Sequence, residues 1–147
     1  MKTSISLKFD TKDLEKKLHK TLLTKNNAKK IIYLCCTNLQ RDIQQSLSYG
    51  GTGRTYKKYT PHKRTHTASA QGRPPALDLG DLRKGIVIDP IKERMNIIEG
   101  GVRSTEFYSL WLEYGTNNDR IKARPFMQPA FKRQKNKILK KFKTELF

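Results

Sequence analysis

The chain has 147 residues, the length of a single domain, and its 31 lysines and arginines outnumber 13 acidic residues to give a net charge of +18. This excess favours a polyanionic partner, most simply nucleic acid, although a lysine-rich surface that only keeps the protein soluble is the alternative. The longest apolar run, IIYLCC, is too short to cross a bilayer and MKTSISLKFD has no signal-peptide segment, so we expect a protein folded in a cytosol, without a membrane partner.

The beginning of the chain predicts a strand and two helices. Alternating apolar residues in SISLKF predict a short strand over residues 4–9. Asp10 suits the cap of a following helix. The apolar stripe of that helix is formed by Leu14, Leu18 and Leu22. A second, longer helix is predicted from Asn26 or Asn27 to about Ser48. The apolar residues that keep its helical period are Ala28, Ile32, Cys35, Leu39, Ile43 and Leu47.

Residues 49–80 lack any apolar periodicity and are rich in glycine, proline, threonine and serine. A structureless stretch of this length is unusual in a compact domain, so we interpret it as an extended arm that is either disordered or functional. Aromatic residues alternate with basic ones, which suits stacking on single-stranded bases or packing on a neighbouring protein, and we favour packing. The candidate contact residues of the arm are Arg54, Tyr56, Lys57, Lys58, Tyr59, Lys63, Arg64 and Arg73.

Two apolar runs after the arm predict an antiparallel hairpin. They are LGDLRKGIVID and RMNIIEGGV, and a turn at Asp89-Pro90 separates them. The pair Gly100-Gly101 in the second run indicates a bulge or the end of a strand.

A short helix is predicted over residues 106–114, EFYSLWLEY, with Ser104 or Thr105 as its cap. Gly115 suits the left-handed residue that ends such a helix. The residues that share one face of the helix are Phe107, Leu110, Trp111 and Tyr114. We expect Trp111 and Tyr114 to lie in the core rather than to stack on a ligand.

The stretch LEYGTNNDRIKARPFMQPA joins the short helix to the last one through a corner with several turn-forming residues. Pro125 forces an extended approach from Arg124, and Pro129 suits the first turn of the last helix. We expect Phe126 to insert into the core at this corner. Glu113 and Arg124 are candidates for an ion pair that closes the loop.

The last helix predicts a buried stripe and a basic face. The stripe consists of Phe131, Ile138, Phe142 and Leu146. The basic residues directed to solvent or to an anion are Lys132, Arg133, Lys135, Lys137, Lys140, Lys141 and Lys143. The candidates to face DNA are Lys132, Arg133, Lys137, Lys140 and Lys141, and a solvated face is the alternative.

The sequence offers little for catalysis or metal binding. GGTGRT at residues 50–55 resembles a phosphate loop but follows a helix and lacks the lysine that such a loop needs. His62 and His66 have a zinc-like separation, but no Cys-x-x-Cys accompanies them. The adjacent Cys35 and Cys36 are expected to be buried thiols. The acids are scattered, which disfavours a metal-dependent nuclease. We therefore predict no enzymatic activity, no metal and no cofactor.

Two blocks of the sequence form a recognisable combination. The first is ASAQGRPPA at residues 68–76, followed by Asp78 and by GDLR at residues 80–83. The second is LEYGT at residues 112–116, followed by RPFMQPA at residues 124–130. In the order, spacing and position of these blocks, the chain resembles the tail-completion, or head–tail joining, proteins of tailed bacteriophages.

The resemblance implies a small α+β subunit that is not an enzyme and forms a ring, often a hexamer, at the neck of the virion after assembly in the host cytoplasm. The implied partners are copies of the chain, the connector or head-completion proteins, and the tail terminator or tail tube proteins, with packaged DNA as a further candidate. The residues expected at the subunit or partner interface are Glu113, Tyr114, Gly115, Thr116, Arg124, Pro125, Phe126 and Pro129. The high lysine content departs from the family and leaves open whether the charge faces DNA or acidic neighbours.

We predict one α+β domain over residues 1–147. A long N-terminal helix packs on an antiparallel sheet, a short helix precedes Gly-Thr, and a C-terminal helix closes the domain. The arm over residues 49–80 lies between the first helices and the sheet. The predicted function is that of a structural subunit at the head–tail junction, and the rival is a basic nucleic-acid-binding module that assembles no ring.

Overall fold

The structure is a computed structural model that describes residues 3–10, 25–95, 97–118 and 120–146. The elements in these ranges are β1 (Ser4–Asp10), α1 (Lys25–Ser46), β2 (Thr55–Lys58), β3 (Arg64–Thr67), α2 (Asp81–Lys84), β4 (Ile86–Ile88), β5 (Lys92–Arg94), β6 (Ile97–Ser104), α3 (Ser109–Tyr114) and α4 (Met127–Leu146). The predicted α+β class, with a long helix, an antiparallel sheet and a C-terminal helix, is confirmed. The helix predicted around Leu14, Leu18 and Leu22 lies outside the described residues.

Strand β6 is the centre of the main sheet. Strand β1 pairs along one of its edges, with Leu7 opposite Gly100, and β4 and β5 pair along the other, all antiparallel. The predicted antiparallel pairing after the arm is therefore confirmed, and Ile88 lies opposite Val102. The turn predicted at Asp89-Pro90 is wrong, because β5 continues the pairing beyond these residues until Arg94 lies opposite Ile97. This arrangement leaves one face of the sheet for the long helix.

The two glycines of β6 lie inside the strand rather than at its end, which corrects one prediction. Gly100 and Gly101 continue the register with β1 without interruption. The irregularity is on the opposite strand, where the three residues 89–91 face these two glycines. A Cβ at Gly100 would lie 2.5 Å from Ile32 Cγ2, and one at Gly101 would lie 2.7 Å from the Ile5 carbonyl oxygen. Glycine is required here because helix and neighbouring strand approach so closely.

Helix α1 forms the middle of the core, between the sheet and α4. All six apolar residues that were predicted to face inward are buried, so this prediction is confirmed. Cys36 lies against the sheet near Gly100, and Cys35 lies near Lys141 of α4. Burial raises the pKa of both thiols, that of Cys36 to about 11. They are buried free thiols, as expected.

Helix α4 covers the other side of α1. Phe126, Met127 and Ala130 are buried where α4 begins, as are Ile138 and Phe142 further along. Phe131 is only partly buried, and the side chain of Leu146 lies outside the described part. In the part of the chain that the structure describes, no helix has the length and apolarity needed to span a membrane.

The arm contains a second, two-stranded sheet that the sequence analysis did not predict. Strands β2 and β3 pair antiparallel, with Tyr56 opposite His66. The Gly53 N–H donates to the Ala68 carbonyl at 2.8 Å, and a Cβ at Gly51 would overlap the Thr67 carbonyl oxygen. The glycines that resembled a phosphate loop are thus explained by the close approach of two backbone segments at the base of the hairpin.

Candidate interaction surfaces

The start of α4 is held by one carboxylate from α3. Glu113 is 3% exposed, and its Oε2 accepts hydrogen bonds from the N–H groups of Phe126 at 2.8 Å and Met127 at 3.0 Å. Its Oε1 accepts one from the Gln128 N–H at 2.8 Å. A helix has four initial N–H groups without intrahelical acceptors, and here the fourth position is Pro129, which has no N–H. Glu113 therefore satisfies every donor at this helix end and also places a negative charge at the positive end of the helix dipole.

The predicted ion pair between Glu113 and Arg124 is wrong. No ion pair joins the two residues, because the three backbone N–H groups occupy both carboxylate oxygens. Arg124 instead donates from Nε to the Ser69 carbonyl at 3.2 Å, and its N–H donates to the Leu112 carbonyl at 2.7 Å. The Gly72 N–H reaches the Ala123 carbonyl at 3.0 Å. The two sequence blocks that carry the family resemblance therefore contact each other directly.

Gly115 ends α3, as predicted, but its backbone is extended at positive φ rather than in the predicted left-handed helical conformation, and only glycine adopts this conformation readily. Its φ is 78° and its ψ is −172°, and its N–H donates to the Trp111 carbonyl at 2.8 Å. The loop then closes on itself through hydrogen bonds in both directions between Thr116 and Ile121. The geometry of this corner is thus set by local backbone contacts.

Helix α3 begins later than predicted and turns its aromatic residues outward. The Ser104 hydroxyl accepts from the Glu106 N–H at 3.2 Å, but helical structure starts only at Ser109. The buried face of α3 consists of Ser109 and Glu113, one turn apart. Since both polar side chains have buried hydrogen-bond partners, the core takes the polar face of this helix.

The expectation that Trp111 and Tyr114 lie in the core is therefore wrong. Trp111 is 44% exposed, Tyr114 is 66% exposed and Phe107 is 69% exposed. The Phe107 ring packs edge-to-face on Trp111 and on Tyr108, with ring centroids 5.8 Å and 5.4 Å apart. The result is an ordered aromatic cluster at the surface.

Two carboxylates lie beside this cluster. Burial raises the pKa of the Tyr108 phenol, and the negative charges of Glu106 and Asp81 raise it further. Asp81 and Glu106 also line one shallow cleft with Tyr108. Among the acidic side chains that the structure describes, all the others bind a cationic side chain or, for Glu113, backbone N–H groups. We call Asp81, Glu106, Phe107, Trp111 and Tyr114 the aromatic–acidic surface.

The hairpin is attached to the rest of the chain by Asp78. Arg64 donates to both carboxylate oxygens, at 2.8 Å from Nε and 3.0 Å from Nη2, and Lys58 Nζ lies 2.5 Å from Oδ2. The hydrogen bonds from Arg64, and then those from Lys58, hold the pKa of Asp78 well below its usual range. Two of the basic residues predicted for outward contact are thus used inside the chain. The sequence contains a signal for this role of Asp78, because Asp78 is the first acidic residue after Asp42 and the basic residues of the arm lie between the two.

The two histidines that the structure describes, His62 and His66, both lie in the hairpin. His66 lies 3.7 Å from Asp78, and burial lowers its pKa although Asp78 opposes this shift. His62 is exposed. Across the described ranges, no three potential ligand side chains gather as they would around a metal ion. A cavity of about 310 Å³ behind Asp78 includes the buried Ser69 hydroxyl, which has no hydrogen-bond partner in the described structure. Among the charged side chains that line this cavity, Lys58 and His66 lie against Asp78.

The outer part of the hairpin presents the remaining arm residues to solvent. Tyr56 and Tyr59 are exposed, and the Arg54 guanidinium lies 5.5 Å from the centre of the Tyr56 ring. Lys57 and Lys63 are also exposed and have no acidic partner among the described residues. Arg73, the last of the predicted arm residues, is exposed in the loop that follows the hairpin.

Helix α4 presents a second basic face. Lys132, Lys137 and Lys140 are exposed, as predicted. The other two candidates for contact with DNA have acidic partners: Arg133 Nη2 lies 2.6 Å from Asp42, and Lys141 Nζ lies 2.7 Å from Glu145. Burial opposes the shift, but hydrogen bonds from Arg133 and Gln134 lower the pKa of Asp42. The free charge of α4 is thus smaller than the sequence suggests.

The residues predicted for a subunit interface fall into three classes of exposure. Glu113 and Phe126 are buried within the chain, and Tyr114 is exposed. The half-buried members of the set are Gly115, Thr116, Arg124, Pro125 and Pro129. The buried members form the internal framework of the corner, and an interface there remains a prediction. Comparisons with protein-family models, curated proteins and solved structures find no match for the chain.

Proposed function

We propose that the chain is a structural subunit of the head–tail junction of a tailed bacteriophage, where copies form a ring around the DNA channel. The observation that carries this proposal is the contact between its two characteristic sequence blocks. Arg124 and Ser69 are far apart in sequence, yet they are joined by a hydrogen bond, and Gly72 and Ala123 are joined by another. The two segments therefore form one structural unit, which supports interpreting their motifs together.

The surface of the chain supports an assembly role. Three exposed aromatic rings on and beside a six-residue helix form the kind of patch that proteins use to bind other proteins. The arm extends from the α1–sheet body as a hairpin with exposed tyrosines and lysines. A subunit that contacts neighbours on two sides needs two such surfaces.

The decisive experiment is to locate the chain in a virus particle. We would produce particles in which the chain carries a small tag at Gly50 and image their necks by cryo-electron microscopy. Gly50 suits a tag because a Cβ added there would have open space around it. Extra density repeated around the channel at the head–tail junction is the expected result. Tag density elsewhere, or fully joined particles without the chain, would refute the proposal.

Binding to nucleic acid without ring assembly is the second candidate. The exposed lysines of α4 and the hairpin favour it, since they lack acidic partners among the described residues. Duplex DNA binding would be measured over a salt series with the wild type and with K132E/K140E. A stable monomer that binds duplex DNA tightly, with affinity falling steeply as salt rises, would support this rival over the neck subunit.

A further inference from the structure

The aromatic–acidic surface has a composition that is unusual for this chain. The exposed rings of Phe107 and Trp111 pack on each other, and Tyr114 is exposed on the same helix as Trp111. The carboxylates of this surface are those that the described chain leaves without a cation. Two basic residues lie at the edge of this surface. Lys84 lines the same cleft as Asp81, and Arg120 lines the shallow pocket beside Tyr114. An aromatic surface with free carboxylates attracts a partner that offers both cations and apolar rings.

The hairpin of the same chain offers that complementary composition. No acidic residue occurs between Asp42 and Asp78. Tyr56 and Tyr59 are exposed, and Lys57 and Lys63 are exposed without acidic partners in the described structure. The basic face of α4 lacks exposed aromatic residues, so it matches the charge of the aromatic–acidic surface but not its rings.

The hairpin is also free to enter a neighbour. Strands β2 and β3 pair with each other and with no other strand among the described residues. The contacts of Asp78 with Lys58 and Arg64 fix the hairpin where it joins the body of the chain. An element held in this way presents its free tip at little entropic cost, because its strands are already ordered.

We propose that the aromatic–acidic surface of one copy binds the β2–β3 hairpin of a second copy. This inference rests on the ring-forming function proposed above and identifies the two surfaces that would meet. In such a contact, Lys57 and Lys63 lie near Asp81 and Glu106, while Tyr59, between β2 and β3, packs on the exposed rings. Because the two surfaces differ, the contact is head-to-tail, and repeating it generates a closed ring or a filament.

The first experiment uses the single tryptophan of the chain as a reporter. Since Trp111 is the only one, its emission reports on this surface alone. Sedimentation velocity and tryptophan emission would be followed over the same concentration series of the full chain. We expect oligomers to appear together with a shift of the emission to shorter wavelength. A chain that stays monomeric up to about 1 mM would overturn the inference, since so weak a contact could not assemble a ring from free subunits.

The second experiment is a charge exchange. The variant D81K/E106K and the variant K57E/K63E should each weaken association at least about tenfold, because like charges would then face each other. Matched controls carry the same change of net charge elsewhere: E93K/E145K for the acidic pair and K135E/K140E for the basic pair. These controls should associate like the wild type, and circular dichroism would confirm that all variants are folded.

The variant that combines all four substitutions gives the sharpest result. Both surfaces are then reversed together, so association should recover to within about threefold of the wild type. Continued loss in the combined variant would overturn the inference. Undiminished association of both two-site variants would also overturn it, but a ring located in the virus neck would still stand. The failure of the inference and the failure of the proposed function are therefore distinguishable.

Discussion

Replacing Glu113 tests whether one carboxylate holds the corner together. In Glu113→Ala, the Phe126 and Met127 N–H groups remain buried and lose their acceptor, at about 1–3 kcal/mol each. Loss of the charge at the start of α4 adds about 0.3–1 kcal/mol. We expect the free energy of unfolding to fall by roughly 2–7 kcal/mol in total, a large part of the roughly 5–15 kcal/mol typical of a domain.

Glu113→Gln separates the charge from the hydrogen bonds. The amide keeps one acceptor oxygen, but its NH₂ group must lie near an N–H that had a carboxylate partner. We therefore expect a smaller loss, about 1–3 kcal/mol. The control is Glu145→Ala, which removes an exposed i,i+4 pair with Lys141 and should cost less than about 0.5 kcal/mol.

Urea denaturation of the three variants, followed by circular dichroism, would give these free energies. If the free energy of unfolding of Glu113→Ala lies within about 1 kcal/mol of the wild-type value, the carboxylate does not hold α4 and our explanation of the corner is wrong. A loss in Glu145→Ala as large as that in Glu113→Ala would show that any change of charge near α4 has this effect.

Three further predictions follow from other contacts. Phe126→Ala should lower the free energy of unfolding by about 3–5 kcal/mol because the ring is fully buried, and wild-type-like melting would contradict this. Gly101→Ala should destabilise the fold by about 1–3 kcal/mol in the same assay, whereas Gly50→Ala, which has open space, should not. Asp78→Asn should speed hydrogen exchange in residues 55–67 but not in α1. Because folding lowers the pKa of Asp78, the stabilisation that this carboxylate contributes is fully present above its ordinary pKa near 4 and is lost as the pH falls from there toward the lowered value. Protection of the hairpin amides from hydrogen exchange in the wild type should therefore decline in acid. Protection that does not depend on pH would refute the role of Asp78.

The long helix and the main sheet could be predicted because their patterns are long. Six apolar residues that recur with the helical period determine which face of α1 is buried. The arm hairpin was missed because each strand has four residues with polar side chains, so no alternation of apolar residues marks it. Its stability depends on pairing with a distant carboxylate, Asp78, which no local pattern records.

The errors at α3 have a different cause. A four-residue spacing of aromatic residues normally indicates a buried stripe, and this rule placed Trp111 and Tyr114 in the core. In the structure the polar residues Ser109 and Glu113 lie inside, since Glu113 is needed at the start of α4. A pattern of hydrophobicity cannot reveal this inversion, because the inverted orientation is stabilised by hydrogen bonds from backbone N–H groups of another helix to Glu113.

The inversion links the corner to the aromatic–acidic surface. Glu113 and Trp111 are two residues apart on the same short helix, so the bonds that fix α4 on one side also fix the direction of the rings on the other. A partner that binds these rings would meet a surface whose orientation relative to α4 is already set, which lowers the entropic cost of binding. A substitution at Glu113 that loosens these contacts should for this reason weaken the association of copies, although the partner does not touch Glu113 itself. Association that is unchanged in a folded Glu113→Gln chain would show that the two sides of α3 act independently.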